Sequence, residues 1–194
     1  MIAADKELKL KRLSDVELEL TRVFDAPREL VFKTMTDPEL IPRWWGPRRY
    51  STVVDKMDLR VGGKWRYANR GSDGQEFWFN GEYREITPPE RIVQTFEFEP
   101  MAGHFSIDTA TFEDLGDGRT LFRSRSLFQS KEDLDGMLGS GMESGAKETY
   151  DRLAEILAER VRTSSKRRPK TVRDDRGLAG TPGPAVTPPA TKPG

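Results

Sequence analysis

The chain contains no cysteine and a single histidine, His104, among its 194 residues. The first absence excludes disulfides and thiolate catalysis and fits a reducing compartment. The second removes every H-x-x-H or H-E-x-x-H spacing, so a metal site would have to be assembled from carboxylates around one imidazole. We expect no metal and no cofactor. There is no G-x-S-x-G nucleophile elbow; Gly139-Ser140-Gly141 and Glu143-Ser144-Gly145 fall in a helical segment. Gly62-Gly63 and Gly71-Ser72-Asp73-Gly74 read as turns rather than phosphate cradles. No apolar run approaches the roughly 20 residues that span a bilayer. The opening MIAADKELKLKRLSD lacks the apolar stretch of a secretory signal. The expectation is a soluble, cytoplasmic protein with no membrane insertion.

Charge is plentiful but uneven. Basic and acidic residues number 32 each, yet from Thr163 onward seven Lys or Arg stand against two Asp, which leaves +5 on that tail and −5 on residues 1–162. An acidic body does not suit a phosphate backbone, so no nucleic-acid partner is expected for the folded domain. The tail holds six prolines and no aromatic residue. It cannot bury enough apolar surface to offset its ordering entropy, so residues 163–194 are expected to be a disordered, basic, Pro-rich tail. Residues 1–13 are expected to be a flexible N-terminus, leaving one domain over 14–162.

Within that domain VELELTRVF (16–24) alternates apolar and polar residues as a half-buried strand does. Asp25-Ala26-Pro27 then predicts a helix start with Asp25 as cap, and ELVFKTMT (29–36) the helix. A second short helix, PELIPRWW, is expected to be cut by Pro42. From Ser51 to Phe128 about six strands follow through short turns, among them Thr87-Pro88-Pro89-Glu90 and Gly116-Asp117-Gly118. Such a run implies an antiparallel meander. Residues 131–161 carry Leu134, Leu138, Met142, Leu153, Ile156 and Leu157 at helical spacing. They predict one long amphipathic helix, or a short helix running into a long one. Four glycines in the first half favour a break near Met142. The sum is an α+β fold in which a curved antiparallel sheet of about seven strands wraps a long C-terminal helix, with two short helices after the first strand.

A sheet curled around a helix encloses space, and alternation along its strands indicates what faces it. Trp65 and Tyr67 share one face of their strand; Ile92, Gln94, Phe96 and Phe98 share one face of theirs. Phe105 and Ile107 oppose Ser106, Asp108 and Phe112, and Phe122 and Phe128 oppose Leu121 and Leu127. Trp44 and Trp45 stand side by side in IPRWWGPRRY. One is expected to anchor the short helices and the other, Trp45, to line the rim, with Arg43, Arg48 and Arg49 in water or over an indole. The expected cavity residues are Trp44, Trp45, Trp65, Tyr67, Phe79, Phe96, Phe98, His104, Ile107 and Met142. No residue is assigned a catalytic role.

In order along the chain, FDAPRELVFKTMTDPELIPRWWGP, DLRVGGKWRY, GEYREITPPERIVQTF, GDGRTLF and MESGAKETYDRLAEILA resemble the successive signatures of the family named after the activator of heat-shock protein 90 ATPase, in its bacterial homologue-like branch. That family lies within the START-like, or SRPBCC, superfamily, and the resemblance covers about residues 16–158. It implies the helix-grip fold and a hydrophobic cavity for a small apolar or aromatic ligand. A minority of the superfamily are enzymes, so a cyclase or hydrolase acting on a polyketide-like substrate, through His104 with Asp108, Tyr67 or Glu82, is a rival reading. A third is a module that stimulates a chaperone ATPase in a stress response, although no chaperone-docking element is evident. A homodimer is left open.

Overall fold

The structure, a computed structural model, describes residues 6–166. The alternating stretch becomes strand β2 (Glu17–Phe24), and before it lies a strand that its charged composition hides, β1 (Lys9–Arg12). The expected flexible N-terminus is therefore wrong over 9–12. Lys11 faces the acidic Glu19 in the β1–β2 register, and Leu10 packs beside Leu18. Two short helices follow, α1 (Arg28–Met35) and α2 (Ile41–Trp44). The meander is β3 (Ser51–Met57), β4 (Lys64–Arg70), β5 (Glu76–Thr87), β6 (Arg91–Phe98), β7 (Phe105–Asp114) and β8 (Thr120–Phe128). A 3-10 turn at Glu99–Met101 joins β6 to β7. Helices α3 (Lys131–Gly139) and α4 (Met142–Lys166) complete the order. The first four residues of the expected tail thus continue α4, and the rest of it lies outside the described residues.

All eight strands form one antiparallel sheet in the order β1-β2-β8-β7-β6-β5-β4-β3. The eighth strand, against about seven expected, is β1. Strand β2 pairs with β8 along its whole length, from Glu17↔Leu127 to Phe24↔Thr120, so the chain's early and late strands meet. Register shifts in β3 and β5 add bulges, which bend a strand and deepen the sheet's curl. Gly81 of β5 lets the Trp65 indole lie against the backbone; a Cβ there would overlap both the indole and the Thr95 carbonyl oxygen.

Helix α4 lies in the concave side and buries Leu153, Ile156 and Leu157 against Phe24, Phe112 and Phe122. Phe112 and Phe122 are register partners with rings 5.5 Å apart, and Phe32 of α1 meets Phe112 edge-on at 5.4 Å. Each such side chain contributes roughly 1.5–3 kcal/mol by leaving water. A smaller cluster of Leu18, Phe128 and Leu134 seats α3 over β2 and β8.

Local chemistry corrects two expectations. The N-cap of α1 is Pro27, while Asp25 instead accepts an ion pair from Lys6 at 2.6 Å. Pro42 does not cut α2: it occupies the first turn, where its missing N–H forfeits no helical hydrogen bond. The C-terminal segment is a short helix running into a long one. The junction is Ser140-Gly141, with Gly141 at φ 80°, a left-handed conformation that glycine adopts without penalty.

Candidate functional site

The concave face is not filled by α4 alone. Between the sheet, α3, the start of α4 and the loop after α2 lie three adjoining hollows of about 320, 370 and 170 Å³ that share walls. The outer hollow sits under α3, between Phe98, Met101 and His104 on one side and Asp133 and Met137 on the other. The middle one has Phe79, Phe96 and Phe98 as floor and Trp45, Tyr50, Met142 and Tyr150 as roof and walls. The inner one reaches Trp44, Tyr67, Tyr83, Gln94 and Phe122. Phe79, Phe96, Phe98 and Phe128 belong to both larger hollows, making one aromatic-floored cleft of the size that takes small molecules.

The two tryptophans separate as their backbone requires. Trp44 closes α2 with 5% of its surface exposed, packed into the main core and reaching the inner hollow. Trp45, one residue on, has extended backbone and swings over the cleft, edge-on to Tyr67 at 5.5 Å and Phe79 at 5.3 Å. Its carbonyl oxygen accepts from Thr52 Oγ1 and from Arg152 on α4, and Arg152 also donates to the Gly46 and Pro42 carbonyls. The arginines around the pair are exposed, as expected, and two of them also reach carboxylates of α4. Arg43 pairs with Glu159, Arg48 pairs with Glu155 while its backbone N–H donates to Glu148, and Arg49 lies over the Tyr50 ring at 4.8 Å rather than over an indole.

Polar groups in the cleft are few and placed by strand parity. Asp108 of β7 lines the middle and inner hollows. Its carboxyl accepts the Ser106 hydroxyl at 2.8 Å and is also bonded by the Ser126 hydroxyl. Burial pushes this carboxyl above the usual aspartate range against the pull of those two hydroxyls, and no cationic side chain acts on it. Burial, with the Asp108 charge beside it, likewise raises the Tyr150 phenol. Deeper, burial raises Tyr83 to about 12 although a hydrogen bond from Tyr67 opposes the shift. At the mouth, His104 Nδ1 and Asp133 Oδ1 lie 2.7 Å apart and join the loop before β7 to the first turn of α3. Burial works to raise Asp133, but the Ser130 hydroxyl and the His104 ring outweigh it and hold the carboxyl low.

Of the ten expected cavity residues, Trp44, Trp45, Tyr67, Phe79, Phe96, Phe98, His104 and Met142 line these hollows. Two do not. Trp65 is buried behind the lining, its ring 5.0 Å from Tyr67 and 5.8 Å from Phe96, where it supports the wall. Ile107 points to the convex face and is 39% exposed, opposite the equally outward Leu127. The inward side of β7 is the one bearing Ser106, Asp108, Ala110 and Phe112. Of the groups proposed for catalysis, Tyr67 and Asp108 line the inner hollow together, whereas His104 lines only the outer one and Glu82 lies on the opposite face of β5 from Tyr83, beside Arg84. The sequence reading missed Tyr150, Ser124 and Met137 as cleft residues. Tyr150 lies three residues before the buried Leu153 on α4, so helical spacing carries its signal.

Comparison with known proteins agrees with this architecture. The sequence model of the family described as "Activator of Hsp90 ATPase homolog 1-like protein" matches residues 25–158. No curated protein matches the chain. Among solved structures, a protein from Arthrobacter aurescens is 26% identical, with 78% of this chain and 91% of that one covered at a TM-score of 0.71. One from Chromobacterium violaceum is 28% identical, covering 74% of this chain and 98% of that one at a TM-score of 0.64. One from Rhodobacter sphaeroides, 23% identical over 79% of this chain and 99% of that one, shares the fold at a TM-score of 0.72.

Proposed function

The chain belongs to the Activator of Hsp90 ATPase homolog 1-like family, with the START-like helix-grip fold, and on that footing we propose that it is a binding protein for a small apolar or aromatic ligand. The observation that carries this reading is the aromatic-floored cleft between sheet and helices, in which Trp45 leaves the fully buried core to stand edge-on to Phe79 and Tyr67 at the cleft wall. Filling such a core with helix side chains would stabilise the fold more than leaving room does, since unfilled space forfeits contacts. Room retained beside aromatic walls and a few polar groups is the arrangement of a ligand site. Among the described residues no helix is long and apolar enough to cross a membrane. We further infer a cytoplasmic location, which the lack of cysteine suits.

Titration of the full chain with the neutral fluorophore 1-pyrenemethanol tests this. Saturable binding at one site, with energy transfer from tryptophan, is expected. Absence of saturable binding, together with no small molecule retained by the freshly purified protein in native mass spectrometry, overturns the reading.

A further inference from the structure

Six residues line both the middle and the inner hollows and so form the neck between them: Trp45, Phe96, Tyr150, Asp108, Ser124 and Thr149. Three are aromatic, two carry hydroxyls, and one is a carboxylic acid. Among the described residues Asp108 is the only charged side chain lining the inner hollow, and the middle one adds only Arg49, which is occupied with Tyr50.

Asp108 has the partners of an anion but lacks a counter-charge. Two serine hydroxyls are aimed at its carboxyl, Ser106 from its own strand and Ser126 from its register partner on β8. From β6 it faces the neutral Gln94, and from α4 the phenol of Tyr150 and the hydroxyl of Thr149. The cation on the concave side of β2, Arg22, is committed to Asp151 at 2.6 Å. An isolated buried carboxylate is costly, and protein interiors ordinarily pair it. Three aromatic rings line the same neck, and a ring quadrupole attracts a cation set over its face while offering a neutral polar group no comparable gain.

We propose that the cleft takes a hydrophobic amine, a protonated nitrogen carried on an apolar body, with the nitrogen set in the neck between Asp108 and the faces of Trp45, Phe96 and Tyr150. This inference rests on the binding function proposed above and specifies its ligand class. The nitrogen supplies the counter-charge that the fold withholds, while the apolar body occupies the middle hollow over Phe79.

The test compares 1-pyrenemethylamine with 1-pyrenemethanol, which share a ring system and differ in the charged nitrogen. For the full chain the amine is expected to bind about tenfold more tightly or better, a modest return for a desolvated cation facing a carboxylate and aromatic rings. Asp108→Asn should bring the ratio of the two affinities to within about twofold of unity. The comparison of the two probes on the unaltered chain needs no variant and decides the matter if Asp108→Asn fails to fold. Equal affinities for the two probes overturn the inference while leaving the binding function standing. Failure of both probes to bind overturns the two together.

Discussion

The indole of Trp45 meets the ring of Phe79 edge-on, centroids 5.3 Å apart at 72°, across the middle of the cleft. Nothing else roofs that part of the floor with so large a ring, so the pair reports on whatever occupies the space between sheet and helices. Trp44 does different work in the core. Trp45→Leu is therefore expected to leave the chain folded but to weaken 1-pyrenemethanol binding by about tenfold. Trp44→Ala should lower unfolding free energy by about 3–5 kcal/mol, as deletion of a large buried aromatic does. Denaturant titration and fluorescence of the two single variants check both. Equal destabilisation with unchanged probe affinity in both would remove Trp45 from the cleft wall.

A second expectation concerns the outer wall. The His104–Asp133 contact joins the loop before β7 to α3, but His104 is largely exposed. A contact with one partner largely in water contributes about 0–1 kcal/mol. His104→Ala should then weaken 1-pyrenemethanol binding by no more than about fivefold with the melting temperature almost unchanged. A loss of a hundredfold or more would assign the imidazole a role in direct contact with the ligand.

Gly81 carries a third. With the Trp65 indole and the Thr95 carbonyl both against its α-carbon, Gly81→Ala must displace one of them. We expect a loss of about 1–3 kcal/mol, the usual cost of forced overpacking, measured by urea unfolding. Gly74, whose Cβ would meet nothing, is the control for crowding although its φ of 83° adds strain of its own.

Much of this architecture is legible in the chain because turns and alternation are short-range signals. Asp-Gly and Pro-Pro punctuation marks the hairpins, and the parity of Trp65/Tyr67 and of Phe96/Phe98 assigns their strands to the concave side. β1 escaped because KLKR is an edge strand, paired on one side and exposed on the other, so it needs little apolar character. Ile107 was assigned to the wrong face for a more instructive reason. β7 turns Ser106 and Asp108 inward and Ile107 outward, so choosing the more apolar side points away from the cleft. A cleft that binds something keeps polar groups where a core would not, and a hydrophobicity rule reads that as surface.

A fourth prediction is a pH dependence on the convex side. Burial raises the Glu19 carboxyl, but hydrogen bonds from Arg125 at 2.8 Å and Arg123 at 3.0 Å outweigh it and hold the group below 4.5. A lowered carboxylate contributes stability that is fully present above its unfolded value and is lost as pH falls through the folded one. Glu19→Gln should cost about 1 kcal/mol at neutral pH, limited by solvent around the two arginines. It should also flatten the decline in stability below pH 4.5. Thermal unfolding from pH 7 to the acid limit compares the two proteins, and parallel curves would refute the role.

The two-sidedness of β7 has a consequence for how this strand can vary. Positions 106, 108, 110 and 112 look toward the helices, and 107, 109 and 111 look away. Exchanging one residue edits one side only, so Asp108 can be rewritten without touching the convex surface, and Ile107 without touching the cleft. A single-residue insertion or deletion acts like a frameshift: every later position changes sides, Phe112 is expelled from the core, and the register with β6 and β8 is lost together. β7 therefore tolerates spelling changes but not a change of length, and variation in what the cleft holds has to come by substitution there, with length changes confined to the turns at either end.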